Sequence, residues 1–280
     1  MNKTDAIFGF FFVLFFNCVF SVPSLLAQNN NSHFLSNNPI PQTIGKDISR
    51  SVCDARQIFS APRRFGKKEW LTLGAVSLST IALFSGDESI RTFSKKQHRK
   101  TMDDVMKVGR TYGNGMYAFL FSGGIYFGGL IFSHETIRMT GQEMIESLIF
   151  AGFITTSLKS ILGRSRPYTE EGAFRFRGFQ HKTRTTSFPS GHATVAFALS
   201  SVLVRRINIP LATFVLYGME GITSLSRIYH DAHWASDVLL GSAIGTVIGT
   251  SVVSLHTVSQ RKISYRVTPT INGLNFSVNF

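Results

Sequence analysis

The chain has 280 residues, enough for one sizeable domain or two small ones with a buried core. Hydrophobic residues make up 44% and charged residues 16%, with 26 Phe, a mix that soluble domains seldom show, so several apolar runs are expected to contact lipid. The formal net charge of +13 would suit nucleic acid or an anionic membrane surface, but the basic residues fall mainly between apolar runs and form no stripe interleaved with aromatics, which argues against nucleic acid. There are two cysteines, and Cys18 lies inside the first apolar run, so removal of that run leaves Cys53 alone and no intrachain disulfide.

Residues 1–27 start with Lys3, run through Phe-rich sequence from Ile7 to Val22 and reach Leu25-Leu26-Ala27, the shape of a secretory signal peptide cleaved after Ala27. An uncleaved anchor is the alternative, because Leu25 is bulkier than the usual small residue near such a cut. Residues 28–68 are polar and contain Pro39, Pro41 and Pro62, which reads as a linker or a surface-lying segment. Apolar helical segments are expected near 70–84, 115–133, 145–162, 192–206, 207–225 and 235–255, within a helical domain over 69–257. Spanning a bilayer takes about 20 residues, so 70–84 is short and reads as interfacial or spanning. Gly245-Thr-Val-Ile-Gly249 has the small-xxx-small spacing that lets helices approach closely in lipid. In the tail, 258–280, Asn272-Gly273 precedes alternating Leu274, Phe276, Val278 and Phe280, the pattern of a hairpin. The expected fold is all-α, a multi-pass membrane bundle of five or six core helices with a short C-terminal β-hairpin.

The chemistry concentrates in three stretches. His233 and Asp237 are four apart at the start of an apolar helix and share a face, so the carboxylate can accept the Nδ1 proton and leave Nε2 free to attack. Alone, that pair would be an ordinary helix-surface hydrogen bond; Arg227, six residues upstream, changes the weighting. Ser190-Gly191-His192 follows Pro189 and opens an apolar run, placing it at a helix N-terminus whose backbone amides and dipole suit an anion. His192 there can act as general acid. Lys159 and Arg166, the latter followed by the helix-ending Pro167, add a compact charge and a bidentate fork for phosphate oxygens. Three cations around the site repel a metal ion and suit a phosphate, so metal-independent chemistry without a cofactor is expected.

Lys159-x6-Arg166-Pro167, Pro189-Ser190-Gly191-His192 and Ser226-Arg227-x5-His233-x3-Asp237 together resemble the signature of the type 2 phosphatidic acid phosphatase superfamily, which includes the vanadium-dependent haloperoxidases. The motifs cover 159–237, and the surrounding helices extend the resemblance to about 70–255. The resemblance implies His233 as nucleophile of a phosphohistidine intermediate, Asp237 as its orienter and His192 as general acid. Lys159, Arg166, Arg227, the Ser190 side chain and the Gly191 amide would bind phosphate. It further implies a lipid phosphatase acting on a monoester or pyrophosphate of the phosphatidate, phosphatidylglycerophosphate, isoprenyl pyrophosphate or lipid A class. The competing readings are a vanadium-dependent haloperoxidase, a soluble periplasmic acid phosphatase and a non-catalytic lipid-binding protein; the apolar helices argue against the first two and the intact residue set against the third.

His230 and Asp231 read as loop residues, and His33, His98, His134, His181 and His256 as surface or interface residues. Glu220 reads either as an ionisable group at membrane depth, hence paired or cavity-facing, or as a helix-end residue after Gly218. Lysine and arginine placement permits either membrane side, depending on whether 70–84 spans. The resemblance favours a bacterial inner-membrane protein with its site facing the periplasm.

Overall fold

The structure, a computed structural model, describes residues 40–260 together with two later strands, 264–270 and 273–279, so the expected leader at 1–27 lies outside the described residues. The described residues all belong to one unit, Asn38–Phe280.

Helix α1, Ile40–Ser60, occupies most of what the sequence suggests is a linker. Its buried residues are Thr43, Asp47, Asp54 and Ile58, while Ile40, Ile48 and Val52 are about half exposed. A polar stripe therefore faces the protein and an apolar stripe faces out, the reverse of a soluble amphipathic helix. That inversion is why the segment reads as unstructured polar sequence. Helix α2, Lys67–Phe84, starts where the Glu69 carboxylate accepts the Gly66 N–H at 2.9 Å, and exposes Trp70, Leu71, Leu78 and Ile81. Between α2 and the next apolar segment lie α3, Asp87–Lys95, and α4, Lys100–Tyr112. Helix α5, Gly115–Ile131, is capped by Asn114, whose side chain accepts the Met116 and Tyr117 amides at 3.0 and 3.3 Å.

Helix α6, Glu135–Leu162, begins ten residues before the apolar run that announces it, because its first three turns carry a buried polar face including Arg138, Gln142, Glu143 and Glu146. It stops at Gly163, whose φ of +61° closes the helix, so Pro167 is not its terminator. Then come α7, Gly191–Ile207, α8, Pro210–Tyr229, and α9, Ala235–Gln260. Helices α6, α7 and α9 form the centre, where Phe150, Ala151, Ala198, Ile248 and Val252 make one apolar cluster and Met144, Leu148, Leu199, Val202 and Val253 another.

The small-residue stripe sets the closest crossing. A Cβ at Gly241 would lie 2.4 Å from Ser190 O, one at Gly245 2.4 Å from Thr194 O, and one at Gly249 2.7 Å from Ala198 O. Backbone contact between α7 and α9 thus requires glycine at each turn, and it seats the start of α7 on the start of α9. Strands β1, Ser264–Thr270, and β2, Gly273–Asn279, pair antiparallel, with Thr270 opposite Gly273 and Ser264 opposite Asn279.

Glu135–Leu162 and Ala235–Thr257 are long and apolar enough to cross a membrane, and Gly115–Ile131 is a shorter apolar helix. Leu120, Phe121, Phe127, Ile131 and Phe132 of the α5 region, Phe153 of α6 and Leu211 and Phe214 of α8 are all more than half exposed. An outward apolar surface of this extent is what a bilayer covers.

Candidate active site

At one end of the central helices the three sequence stretches converge. Lys159 occupies the last turn of α6, Arg166 follows in the loop, and Ser190, Gly191 and His192 open α7. Arg227 lies in the last turn of α8, His233 in the short α8–α9 loop, and Asp237 in the first turn of α9. The Ser190 amide donates to Asp237 O at 2.8 Å, joining the start of α7 to that of α9. The His233 and Ala232 amides both donate to Arg227 O, at 3.2 and 3.1 Å, so the loop folds back over the end of α8. A Cβ on Gly191 would sit 3.7 Å from Lys159 Cε, which puts the lysine stem directly beside the amide end of α7.

His233 is buried, with Nδ1 3.4 Å from Asp237 Oδ2 and 3.4 Å from Ser187 Oγ. Ser187 Oγ in turn donates a short hydrogen bond to Asp237 Oδ2, and the Trp234 amide donates to the same oxygen at 2.8 Å. The other oxygen, Oδ1, accepts Arg164 Nη1 at 2.6 Å. Asp237 is thereby held from four sides, and its distance and direction to the imidazole are set before any ligand arrives.

Cation donors divide into spent and unspent. Lys159 Nζ donates to Thr186 O at 2.8 Å and Ser187 O at 3.2 Å, while Arg166 uses Nε on Thr183 O at 2.7 Å. Arg227 is buried, yet its Nε and Nη1 have no hydrogen-bond partner, and neither does Ser190 Oγ. Ser190 stands at the N-cap position without making a capping bond, so its hydroxyl is not consumed by the helix. Unpaired buried donors of this kind cost about 1–3 kcal/mol each unless an anion accepts from them.

Burial pushes the His233 imidazole well below its ordinary value of 6.5, Asp237 pulls against this, and the Lys159 and Arg166 cations push further down. Burial likewise lowers Arg166 from 12.5, though a guanidinium stays protonated through that change. His233 is therefore a neutral imidazole beside a carboxylate, with Nδ1 facing that carboxylate, an arrangement able to deliver an electron pair from Nε2 to phosphorus.

Four residues outside the motifs belong to this end. Arg164 is fully buried; its Nη2 donates to Asp87 Oδ2 at 2.7 Å and its Nη1 to Ser236 Oγ at 2.7 Å as well as to Asp237. Its guanidinium lies 4.5 Å from the centre of the Phe84 ring. Asp87 also accepts the Ser236 amide at 3.0 Å, so α3 is tied into the start of α9. Burial raises the Asp87 carboxyl from 3.8 while Arg164 pulls it back. Ser187 and Arg110 complete the set, the latter a cation within Coulombic range of His192 and Arg227. For Asp87, contacting Arg164 across 77 residues, no local sequence signal exists. Asp231 is a loop residue, as expected, and holds Arg91 Nε and Nη2 at 2.6 and 2.7 Å.

Residues 142–261 match the PAP2 superfamily model. Lipid A 1-phosphatase of Rhizobium etli is 30% identical over 114 residues, 39% of this chain and 47% of that protein. Lipid A 1-phosphatase of Porphyromonas gingivalis is 39% identical over 69 residues, 24% of this chain and 16% of that protein. The chain spans less than half the length of the curated relatives it matches. Among solved structures, a transmembrane PAP2-type phosphatidylglycerolphosphate phosphatase from Bacillus subtilis superimposes with a TM-score of 0.54 at 20% identity, covering 67% of this chain and 97% of that one. All three motif stretches lie inside the matched segment, residues 142–261, and the helical fold is shared with the Bacillus subtilis structure.

Proposed function

We propose that the protein is a membrane phosphatase that removes phosphate from a lipid phosphate monoester or pyrophosphate through a phosphohistidine. The observation that carries this is the neutral, Asp237-oriented His233 beside Arg227, whose buried Nε and Nη1 have no acceptor. Lys159, Arg166, Arg227, Ser190 Oγ and the Gly191 amide hold the phosphoryl oxygens. His233 Nε2 attacks phosphorus and the phosphorus–oxygen bond to the lipid breaks. Burial and the Arg227 cation hold the His192 imidazole down at about 3. A bound phosphate dianion offsets the surrounding cations, so that His192 carries the proton it gives to the leaving oxygen and then regains one from the water that hydrolyses the phosphohistidine. No step uses a metal, and the cation-rich surroundings favour the anion over any divalent ion.

The exposed apolar helix surfaces support a lipid-borne phosphate whose chains lie in the bilayer. The curated relatives that act on lipid A support that substrate class. We assign residues 69–257 to the catalytic bundle, residues 1–27 to a leader or anchor, and the site to the periplasmic face of a bacterial inner membrane.

Purified protein in detergent, given lipid A 1-phosphate, phosphatidate, phosphatidylglycerophosphate and an isoprenyl pyrophosphate with and without chelator, should release phosphate from at least one. His233→Ala should release none. Absence of release from the whole panel by folded wild-type protein would sink the reading, as would equal release by His233→Ala.

A further inference from the structure

A second buried ionic cluster lies at the other end of the same helices. Asp54 of α1, Glu146 of α6 and His256 of α9 are all buried, and one ligand atom from each lies within 4.8 Å of the others. Glu146 is about 20 Å along α6 from Lys159, and His256 about 28 Å along α9 from Asp237, so this cluster is remote from the phosphate site.

His256 Nε2 is 3.0 Å from Glu146 Oε2 and 3.1 Å from Asp54 Oδ2. A ring nitrogen carries at most one hydrogen, and that hydrogen can point at one of the two oxygens. The hydrogen bond goes to Glu146, while Asp54 Oδ2 is left buried without a hydrogen-bond donor. A metal ion on Nε2 serves both oxygens at once. Tetrahedral zinc with bonds of about 2.0–2.2 Å puts neighbouring ligand atoms roughly 3.3–3.6 Å apart, close to the separations already present.

The surroundings are arranged as the supports of a metal site are. Glu146 Oε1 accepts Ser51 Oγ at 2.6 Å and Gln142 Nε2 at 2.9 Å, which fixes the carboxylate and leaves Oε2 facing the imidazole. The opposite ring nitrogen, Nδ1, lies 3.3 Å from Glu143 Oε1 without a hydrogen bond, close enough for that carboxylate to accept its proton and orient a metal-bound imidazole. Glu143 is held by Arg206 through two short hydrogen bonds. Three carboxylates thus meet a single guanidinium, and a divalent cation with neutral His256 brings the cluster to charge balance.

We propose that Asp54, Glu146 and His256 bind a first-row divalent transition cation, zinc by ligand chemistry, which fastens α1 to α6 and α9. The imidazole ligand disfavours calcium and magnesium, which prefer all-oxygen shells. The role is structural. Helix α1 presents a polar stripe to the bundle, with Asp47 bonded by Arg138 and Tyr126, and the cation neutralises the remaining carboxylate of that stripe.

Elemental analysis of full-length, tag-free protein purified in detergent tests this directly. About one zinc per chain is expected in the wild type, with loss from His256→Ala and Asp54→Asn. After chelator treatment, adding Zn2+ to wild type should raise the melting temperature by about 5 °C or more once the ion is in large excess over its dissociation constant. Phosphate release should stay within about twofold on metal removal, given the separation between the ends. Should the variants fail to fold, the wild-type zinc titration still decides. Wild-type protein with no bound transition metal and no thermal response to Zn2+, Mn2+ or Co2+ overturns the proposal, as does zinc that remains stoichiometric in folded His256→Ala.

Discussion

Both ends of the central helices bury a histidine against a carboxylate, yet the unpaired atoms at the two ends have opposite character. Around His233, the fixed charges are mainly cationic, from Lys159, Arg166, Arg227 and Arg110, and the buried atoms without partners include the donors Arg227 Nε and Nη1. Around His256, Asp54, Glu143 and Glu146 meet Arg206 alone, and the carboxylate atom without a hydrogen bond is an acceptor, Asp54 Oδ2. An imidazole does not choose its ligand; the sign of the surrounding charge does. One end is suited to an anion and the other to a cation.

Substitutions can break this contrast. Replacing His233 with Ala should lower phosphate turnover by about 10,000-fold or more and abolish acid-labile phosphoenzyme, measured by rapid quench with labelled lipid. Retention of a tenth of wild-type turnover would remove His233 from the reaction. Arg164→Met leaves Asp87 and Asp237 as buried carboxylates without their shared cation, which costs about 3–5 kcal/mol of stability. Chemical denaturation in detergent checks that loss, and a cost under about 1 kcal/mol would mean the network is not needed. His192→Gln should reduce kcat by about 100-fold for a monoester with an alkoxide leaving group and by less for a pyrophosphate, whose leaving group needs less protonation. Equal losses on both substrates would deny His192 the acid role.

Smaller effects sharpen the electrostatic side. Ser187→Ala removes one hydrogen bond to Asp237, so kcat should fall about fivefold with the KM little changed. The folded-state pKa of His233 lies well below its ordinary value of 6.5, so the folded state binds fewer protons than the unfolded one. Stability from this group is complete above that ordinary value and falls as pH drops through it, by about 1 kcal/mol per unit. Nitrogen-15 NMR of labelled histidines, with His233→Ala to assign the resonance, should show a neutral ring at pH about 5.5. A protonated ring there would contradict the burial argument.

Much of the anion end was legible because its parts sit in short, ordered motifs. His233 and Asp237 share a helix face, Ser190 and Gly191 open a helix, and each placement follows from local spacing. Arg164 and Asp87 were not legible, since their partners lie 73 and 77 residues away and no periodicity announces them. The cation end was missed for a related reason. His256 ends an apolar run with no local partner, and Asp54 lies in a segment whose polar side faces inward, so both resemble surface residues.

By itself the sequence determined the helical class, the small-residue stripe along α9, and the residue types that converge around His233. Those depend on period, glycine spacing and side-chain chemistry, all carried within a few turns of chain. Only the tertiary structure decided which charges share a buried space, and with it the contrast between the two ends. Charge balance in a low-dielectric interior is set by neighbours tens of residues apart, and packing alone brings them within range.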